Sequence, residues 1–248
     1  MVNILTMKTT LVGLLVCLVF ACSEELNETN IIIGQNSQGV RVPNGPVNYL
    51  ALGDSYTAGE GVSGSERWPL QLADHLSAAA VPISEVRIVA ESGWTTADLI
   101  RGITSAGIEK SYDLVSVLIG VNNQFRGFDV ALFRKEFQEL MEMSISLTDG
   151  RSGRILVLSI PDYSVTEYVQ VLGLDQTRIR NELTAYNEII KEISEDYGAV
   201  FCDITSISRM AGQYPELTAQ DGLHPSAAMY EKWVEACYPT VIDQLTDD

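Results

Sequence analysis

From residue 47 onward the apolar residues of this chain fall into two alternating kinds of run, and this alternation restricts its possible folds more than any other feature. Val47 to Leu52, Val86 to Ala90, Leu114 to Ile119, Ile155 to Ile160 and Ala199 to Ile204 are short stretches rich in Val, Ile and Leu. Runs of that length and composition are strands buried on both faces. The segments between them have helical period. Asp129 to Leu147 places Phe133, Phe137, Leu140 and Ser144 on one stripe, and Asp175 to Tyr197 places Ile179, Leu183, Tyr186, Ile190, Ile193 and Tyr197 on another, ending at Gly198. Shorter helices are expected from Pro69 to Ala80 and from Thr95 to Ile103. A last one is expected from Pro225 to about Leu245, bent or broken near Pro239.

Strands joined through helices must pair in parallel, with right-handed crossovers covering both faces of the sheet. The expected fold class is therefore α/β, a three-layer α/β/α sandwich around a five-stranded parallel sheet. A hydrophobic content of 46% is ample for its core. Neither an internal repeat nor a shift in composition after residue 47 marks a second domain, so residues 47–248 read as one. In such sheets ligands bind beyond the carboxyl ends of the strands. The residues just after each strand are the ones to inspect for chemistry.

The first 46 residues do not share the pattern. Lys8 precedes the apolar run Leu11 to Cys22, twelve residues long. A bilayer span needs about 20, whereas a signal-peptide core needs only 7–15. The run ends Leu18-Val19-Phe20-Ala21-Cys22, which resembles a bacterial lipobox, where the cysteine is lipidated and becomes the mature N-terminus. Residues 1–21 are accordingly expected to be a lipoprotein-type signal peptide with the lipid on Cys22, and residues 22–46 a polar linker. The folded domain would then be exported and membrane-anchored, facing the periplasm or the cell surface.

Sixteen Lys and Arg against thirty-three Asp and Glu give a net charge of −17. A surface so acidic repels phosphate backbones, and no nucleic-acid partner is expected. Four cysteines without CxxC spacing and only two histidines make neither a zinc ribbon nor a disulfide-dense mini-domain, and no metal or cofactor is expected. Cys202 and Cys237 could pair in an oxidising compartment. Sequence does not supply the Cα separation that a bridge requires, however, and two buried free thiols is the plainer expectation.

The strand ends carry a coherent set of polar residues. After the first strand comes Gly53-Asp54-Ser55, after the second Glu91-Ser92-Gly93, after the third Gly120-Val121-Asn122-Asn123 and after the fourth Pro161-Asp162-Tyr163. Asp221-Gly222-Leu223-His224-Pro225 stands before the last helix. A serine hydroxyl becomes a useful nucleophile when an imidazole removes its proton, and a carboxylate fixes that imidazole's tautomer. Ser55, His224 and Asp221 supply these roles, and one tight turn can hold the last two. Donors for an oxyanion would be the backbone N–H groups of Ser55 and Gly93 and the carboxamide of Asn122. Each piece alone is an ordinary turn; together they come from separate loops of one sheet in the order the chemistry needs. His75 falls in no such loop and reads as a surface or flank histidine. Asp162 has no histidine near it in sequence and is a poor rival for Asp221. Trp94 and Tyr163 read as core rather than acyl-pocket residues, and Glu182, Glu188, Glu192 and Glu195 as solvated helix faces.

These blocks resemble the SGNH hydrolases, the GDSL-type esterase and lipase superfamily, over residues 47 to about 245. The resemblance implies a flavodoxin-like sheet, a Ser55 nucleophile, a His224 base, an Asp221 orienter, an oxyanion hole of Ser55, Gly93 and Asn122, and no metal. The strings GDSYTAGEGV, RWPLQLA, SGWTTADL, GVNNQFRG and LSIPDYSVT look more specifically like a bacterial lysophospholipase-like branch. Many members carry Asp after the third-block Asn. Here Asn123 stands in its place, an amide that can hydrogen-bond but brings no charge to support Asn122. The expected activity is hydrolysis of a carboxylic ester, with a lysophospholipid or short-chain acyl ester as substrate. Acetyl groups on carbohydrate are the alternative, as are acyl transfer to another alcohol and, from a different class, a non-catalytic surface lipoprotein that binds glycans or lipids.

Overall fold

The computed structural model describes residues 45–246. The expected signal peptide, Cys22 and nearly all of the expected linker lie outside the described residues. The elements run β1 (Val47–Gly53), α1 (Ser55–Ala58), α2 (Trp68–Ala78), β2 (Ile83–Ala90), α3 (Thr96–Ser105), β3 (Leu114–Leu118), α4 (Val121–Phe125), α5 (Val130–Leu147), β4 (Ile155–Leu158), α6 (Glu167–Val171), α7 (Gln176–Asp196), β5 (Val200–Cys202), α8 (Thr205–Ser208) and α9 (Ala227–Thr246). All five expected strands form one sheet, entirely parallel, in the order β2-β1-β3-β4-β5. The strand order reverses between β1 and β3, the switch point where such sheets place their ligands. Among the described residues, no helix is long and apolar enough to cross a membrane.

Strands β1, β3 and β4 are almost wholly buried, as their largely apolar composition requires. Helices α2 and α9 pack together on one face of the sheet, and α3, α5 and α7 on the other. The Asp129 side chain caps α5 by accepting the N–H groups of Ala131 and Leu132, and Asp175 caps α7 through Arg178. The α7 stripe is buried at Ile179, Leu183, Tyr186, Ile190 and Ile193. Each large apolar side chain so placed contributes roughly 1.5–3 kcal/mol. The helix ends as its sequence suggests: Gly198 donates to Glu195 O and Ala199 to Ser194 O, which satisfies the last free carbonyls.

Two expectations need correction. Helix α9 passes through Pro239 without breaking. A proline costs one backbone hydrogen bond and crowds the preceding turn, but Trp233, Val234, Cys237, Val241 and Leu245 bury the helix on both sides of it, so tertiary packing decides. The helix also starts two residues after Pro225, which forms an isolated bridge with Thr218. Cys202 and Cys237 are not free thiols; they form a disulfide with Cα atoms 5.8 Å apart. The last residue of β5 lies directly beneath the buried face of α9, a proximity that no local pattern encodes.

The bridge closes a 35-residue separation, for which loop-closure entropy gives about 3–4 kcal/mol of stabilisation. The Cys202→Ser/Cys237→Ser double variant is therefore expected to lose about that much in urea unfolding. A non-reducing peptide map should recover the two cysteines in one linked fragment, and free thiols at both positions would refute the pairing.

Candidate active site

The sheet register aligns the loops that carry the candidate residues. Gly53, at the end of β1, pairs with Ala90 of β2 and Leu118 of β3, so three loops leave the sheet side by side. The first turns at once into α1, whose first residue is Ser55 and whose N-cap is Asp54. The second brings Gly93 in a left-handed conformation, φ +84°, its carbonyl accepting a hydrogen bond from Arg126 Nη2 at 2.7 Å. The third carries Asn122 on α4.

His224 arrives from the far end of the chain on a loop that is largely closed on itself. Ala219 donates to His224 O, Gly222 to Ala219 O, and Ser226 to Leu217 O. Within it Asp221 Oδ1 accepts the backbone N–H groups of Leu223 and His224, both at 2.9 Å, and Oδ2 meets His224 Nδ1 at 2.6 Å. Burial would raise the Asp221 pKa. Hydrogen bonds from the imidazole and the two backbone N–H groups outweigh it and hold the carboxyl below the usual range. With Nδ1–H donated to that carboxylate, His224 Nε2 is free to accept from Ser55 Oγ, 3.1 Å away. Ser55, Gly93, Asn122 and His224 line one cleft of about 210 Å³ together with Tyr56, Val121, Phe125, Tyr163, Tyr168 and Leu223.

Asn122 donates one Nδ2 hydrogen to Trp94 O at 3.0 Å, which fixes the amide and leaves its second hydrogen for a ligand. The Asn123 side chain is engaged by Thr96: its buried amide accepts the backbone N–H at 3.0 Å and donates to Oγ1 at 2.7 Å. A neutral amide suits that two-way pairing, and it joins the third loop to the start of α3. Trp94 packs on the core, with its ring against Gly102. Tyr163 is buried and lines the cleft as well, its hydroxyl donating to Gln124 Oε1 at 2.9 Å. Asp162 is held by Arg209 at 2.7 Å and Arg180 at 3.3 Å, which leaves it no part in the cleft. His75 pairs with Glu231 at 2.8 Å on the seam between α2 and α9. The acidic helix faces are less idle than solvated surface: Glu182 binds Arg178 and Gln124, and Glu192 binds Arg134.

Two residues escaped the sequence-level inference. Glu60 lines the cleft with Oε2 3.8 Å from His224 Nε2. Asp54, next to Ser55, is completely buried; its Oδ1 accepts the Tyr56 N–H, and Oδ2 has no hydrogen-bond partner among the described residues. Burial, only partly offset by the backbone hydrogen bonds, pushes its pKa up to about 7. Both sit inside the GDSYTAGEGV string, where spacing gives no clue to depth. Among the described residues, no group of three or more His, Cys, Asp or Glu is placed to hold a metal ion.

A parallel sheet with a serine, a histidine and an aspartate hydrogen-bonded in series at its switch point defines a class of α/β ester hydrolase. Residues 51–232 match the model of the GDSL-like Lipase/Acylhydrolase family, and the chain belongs to that family as a carboxylic ester hydrolase. It is 27% identical to an acetylxylan esterase from Geobacillus stearothermophilus over 195 residues, covering 75% of this chain and 80% of that protein. Its fold is similar to that of TesA, with a TM-score of 0.62 at 18% identity, covering 79% of this chain and 99% of the other. It is equally similar to a lipase/acylhydrolase from Enterococcus faecalis, with a TM-score of 0.62 at 20% identity, covering 80% and 96%.

A carboxyl whose pKa is higher folded than unfolded takes up a proton on folding, so stability declines as pH rises from the ordinary aspartate range to about 7. Asp54→Asn keeps a capping side chain and removes that dependence. Its stabilising effect in urea denaturation is expected to be larger at pH 8 than at pH 5 by at least about 1 kcal/mol. An effect independent of pH would contradict the raised pKa.

Proposed function

We propose that this protein hydrolyses carboxylic esters of short acyl groups through an acyl-enzyme on Ser55. The observation that carries this is the hydrogen-bonded series Asp221, His224, Ser55, with 2.6 Å and 3.1 Å links, in one cleft with Gly93 and Asn122. Ser55 Oγ attacks the ester carbonyl while His224 Nε2 takes its proton, and the carbonyl oxygen becomes an oxyanion facing the N–H groups of Ser55 and Gly93 and the Asn122 amide. Collapse breaks the bond to the alcohol, which leaves with the proton from His224. Water, deprotonated by the same imidazole, then attacks the acyl carbon, and Ser55 leaves as the restored hydroxyl.

The acetylxylan esterase relative and the modest cleft favour an acetyl group on carbohydrate as the ester. A second reading, an acyl lipid such as a lysophospholipid, draws support from an adjoining groove of about 420 Å³ that shares Phe125, Tyr163 and Tyr168 with the cleft and is rimmed by exposed Leu172 and Leu174. Nitrophenyl esters of increasing chain length, set beside acetylated xylo-oligosaccharides, separate the two. Turnover that falls off beyond the shortest acyl groups supports the acetyl reading, and turnover that rises with chain length supports the lipid one.

Ser55→Ala is expected to lose nearly all turnover and all labelling by a fluorophosphonate, whose adduct should map to Ser55 in the wild type. Asn122→Ala is expected to lower kcat by roughly 10²- to 10³-fold. Near-normal turnover by Ser55→Ala would end the nucleophile assignment.

We also propose export and anchoring through a lipid on Cys22. The Cys202–Cys237 disulfide supports an oxidising location. The full-length protein is expected in the membrane fraction and to take up radiolabelled palmitate. Cys22→Ser should do neither, and equal membrane retention of that variant would refute the anchor.

A further inference from the structure

The acyl-enzyme mechanism assigns no task to Glu60, yet Glu60 stands where the alcohol half of the ester must lie. His224 Nε2 gives its proton to the departing alcohol, so the alcohol oxygen sits beside that nitrogen. Glu60 Oε2 is 3.8 Å from the same atom. It accepts a hydrogen bond from the hydroxyl of Ser92, the neighbour of Gly93. The carboxylate thus lies between the imidazole and the loop of the oxyanion glycine.

The Glu60 backbone is fixed, while its carboxylate stays about half exposed. The Glu60 N–H donates to Ser55 O at 3.0 Å, which ties the residue to the helix of the nucleophile. Gly61, next along, is pressed against the His224 loop; a Cβ there would fall 2.6 Å from Ala219 Cβ and 3.8 Å from both Asp221 Oδ2 and His224 Cβ. Among the residues that line the cleft, Glu60 is the one acid and His224 the one base. Arg126 lines the adjoining groove, with its guanidinium engaged by the Gly93 carbonyl at 2.7 Å.

We propose that Glu60, held by Ser92, is the specificity-determining residue for the alcohol: it selects esters of uncharged polyhydroxy alcohols, saccharides above all, and rejects esters whose alcohol carries a phosphate. A carboxylate only accepts hydrogen bonds, so it is matched to the hydroxyl groups that flank an ester on a sugar ring. A phosphate a few bonds from the ester oxygen meets that same charge in a partly enclosed cleft, with the net charge of −17 behind it. The inference rests on the acyl-enzyme reading and deepens it, because it disfavours lysophospholipids by their headgroup rather than by their chain.

The test uses a matched pair, 1-acetylglycerol and 1-acetylglycerol 3-phosphate, which differ only in the phosphate, with p-nitrophenyl acetate as a reporter of the acyl-enzyme cycle. Wild-type kcat/KM is expected to favour acetylglycerol by roughly tenfold or more, the effect of one like-charge contact at this range. Glu60→Gln is expected to bring the ratio to within about threefold, and Ser92→Ala to move it the same way. Because the ratio is taken within each variant, partial misfolding cancels. A wild type indifferent to the phosphate, or a ratio unchanged in both variants while p-nitrophenyl acetate is turned over, overturns the role of Glu60 and leaves the acyl-enzyme standing. A wild type that turns over none of the three esters overturns both.

Discussion

The pairing of β1 between β2 and β3 is the constraint on which the site depends. Because Gly53 is in register with Ala90 and Leu118, the chain leaves the sheet at three neighbouring points along one edge. Ser55, Gly93 and Asn122 then need only two to four further residues to reach a common cleft. Gly53 also allows a close approach that no other residue would. A Cβ at this position would lie 2.3 Å from Thr57 Oγ1 and 2.5 Å from Leu118 O, which would drive α1 away from β3. Ser55 is therefore placed by ladder hydrogen bonds in the most buried part of the molecule, where backbone movement is costly.

The imidazole reaches the same cleft by a different principle. Its loop does not belong to the sheet, and its geometry is set locally by hydrogen bonds that return to its own backbone. Asp221 uses one oxygen to hold the turn and the other to hold the ring, so a single carboxylate fixes both the loop and the tautomer. The electrostatic contrast with Asp54 is instructive. Two acids stand near Ser55, one beside it in the chain and one behind His224, and the number of donors each receives decides which stays ionised. Asp221, with an imidazole and two backbone N–H groups, is held below the ordinary range, whereas Asp54, enclosed and poorly supplied with donors, is pushed up to about 7.

Much of this was legible in the sequence because it is periodic or ordered. The five strands, the stripes on α5 and α7 and the cap at Gly198 all follow from spacing. The residue types after successive strands point to a common edge. Helices α1, α4, α6 and α8 were not legible, since four or five residues are too few to show a period. The ends of β4 and β5 fell short of their apolar runs because the ladder stops while burial continues: Ile160 is buried yet outside the strand. The pairing of Cys202 with Cys237, the pairing of Asn123 with Thr96 and the approach of Glu60 to His224 each join segments that topology alone brings together. No window on the chain contains both partners of the first two, and the third depends on a loop 160 residues away closing over its own neighbourhood.

The disulfide and His224 are mechanically connected. Cys237 lies one helical turn beyond Trp233 on α9, and the Trp233 ring meets Tyr56 edge-on at 6.2 Å. Tyr56 in turn meets the His224 ring edge-on at 5.9 Å, and it is the residue after Ser55. The bridge thus secures, through α9, the aromatic wedge against which the imidazole rests. Pro239 weakens the backbone ladder of this same helix two residues past the bridge. The covalent link to β5 and the burial of Val241 and Leu245 offset that weakness from either side. A hydrogen-bonded series with links of 2.6 and 3.1 Å tolerates little drift of its central ring. Anchoring the helix that supports the ring to the edge of the sheet is how the fold limits that drift, although the histidine itself is carried on a loop.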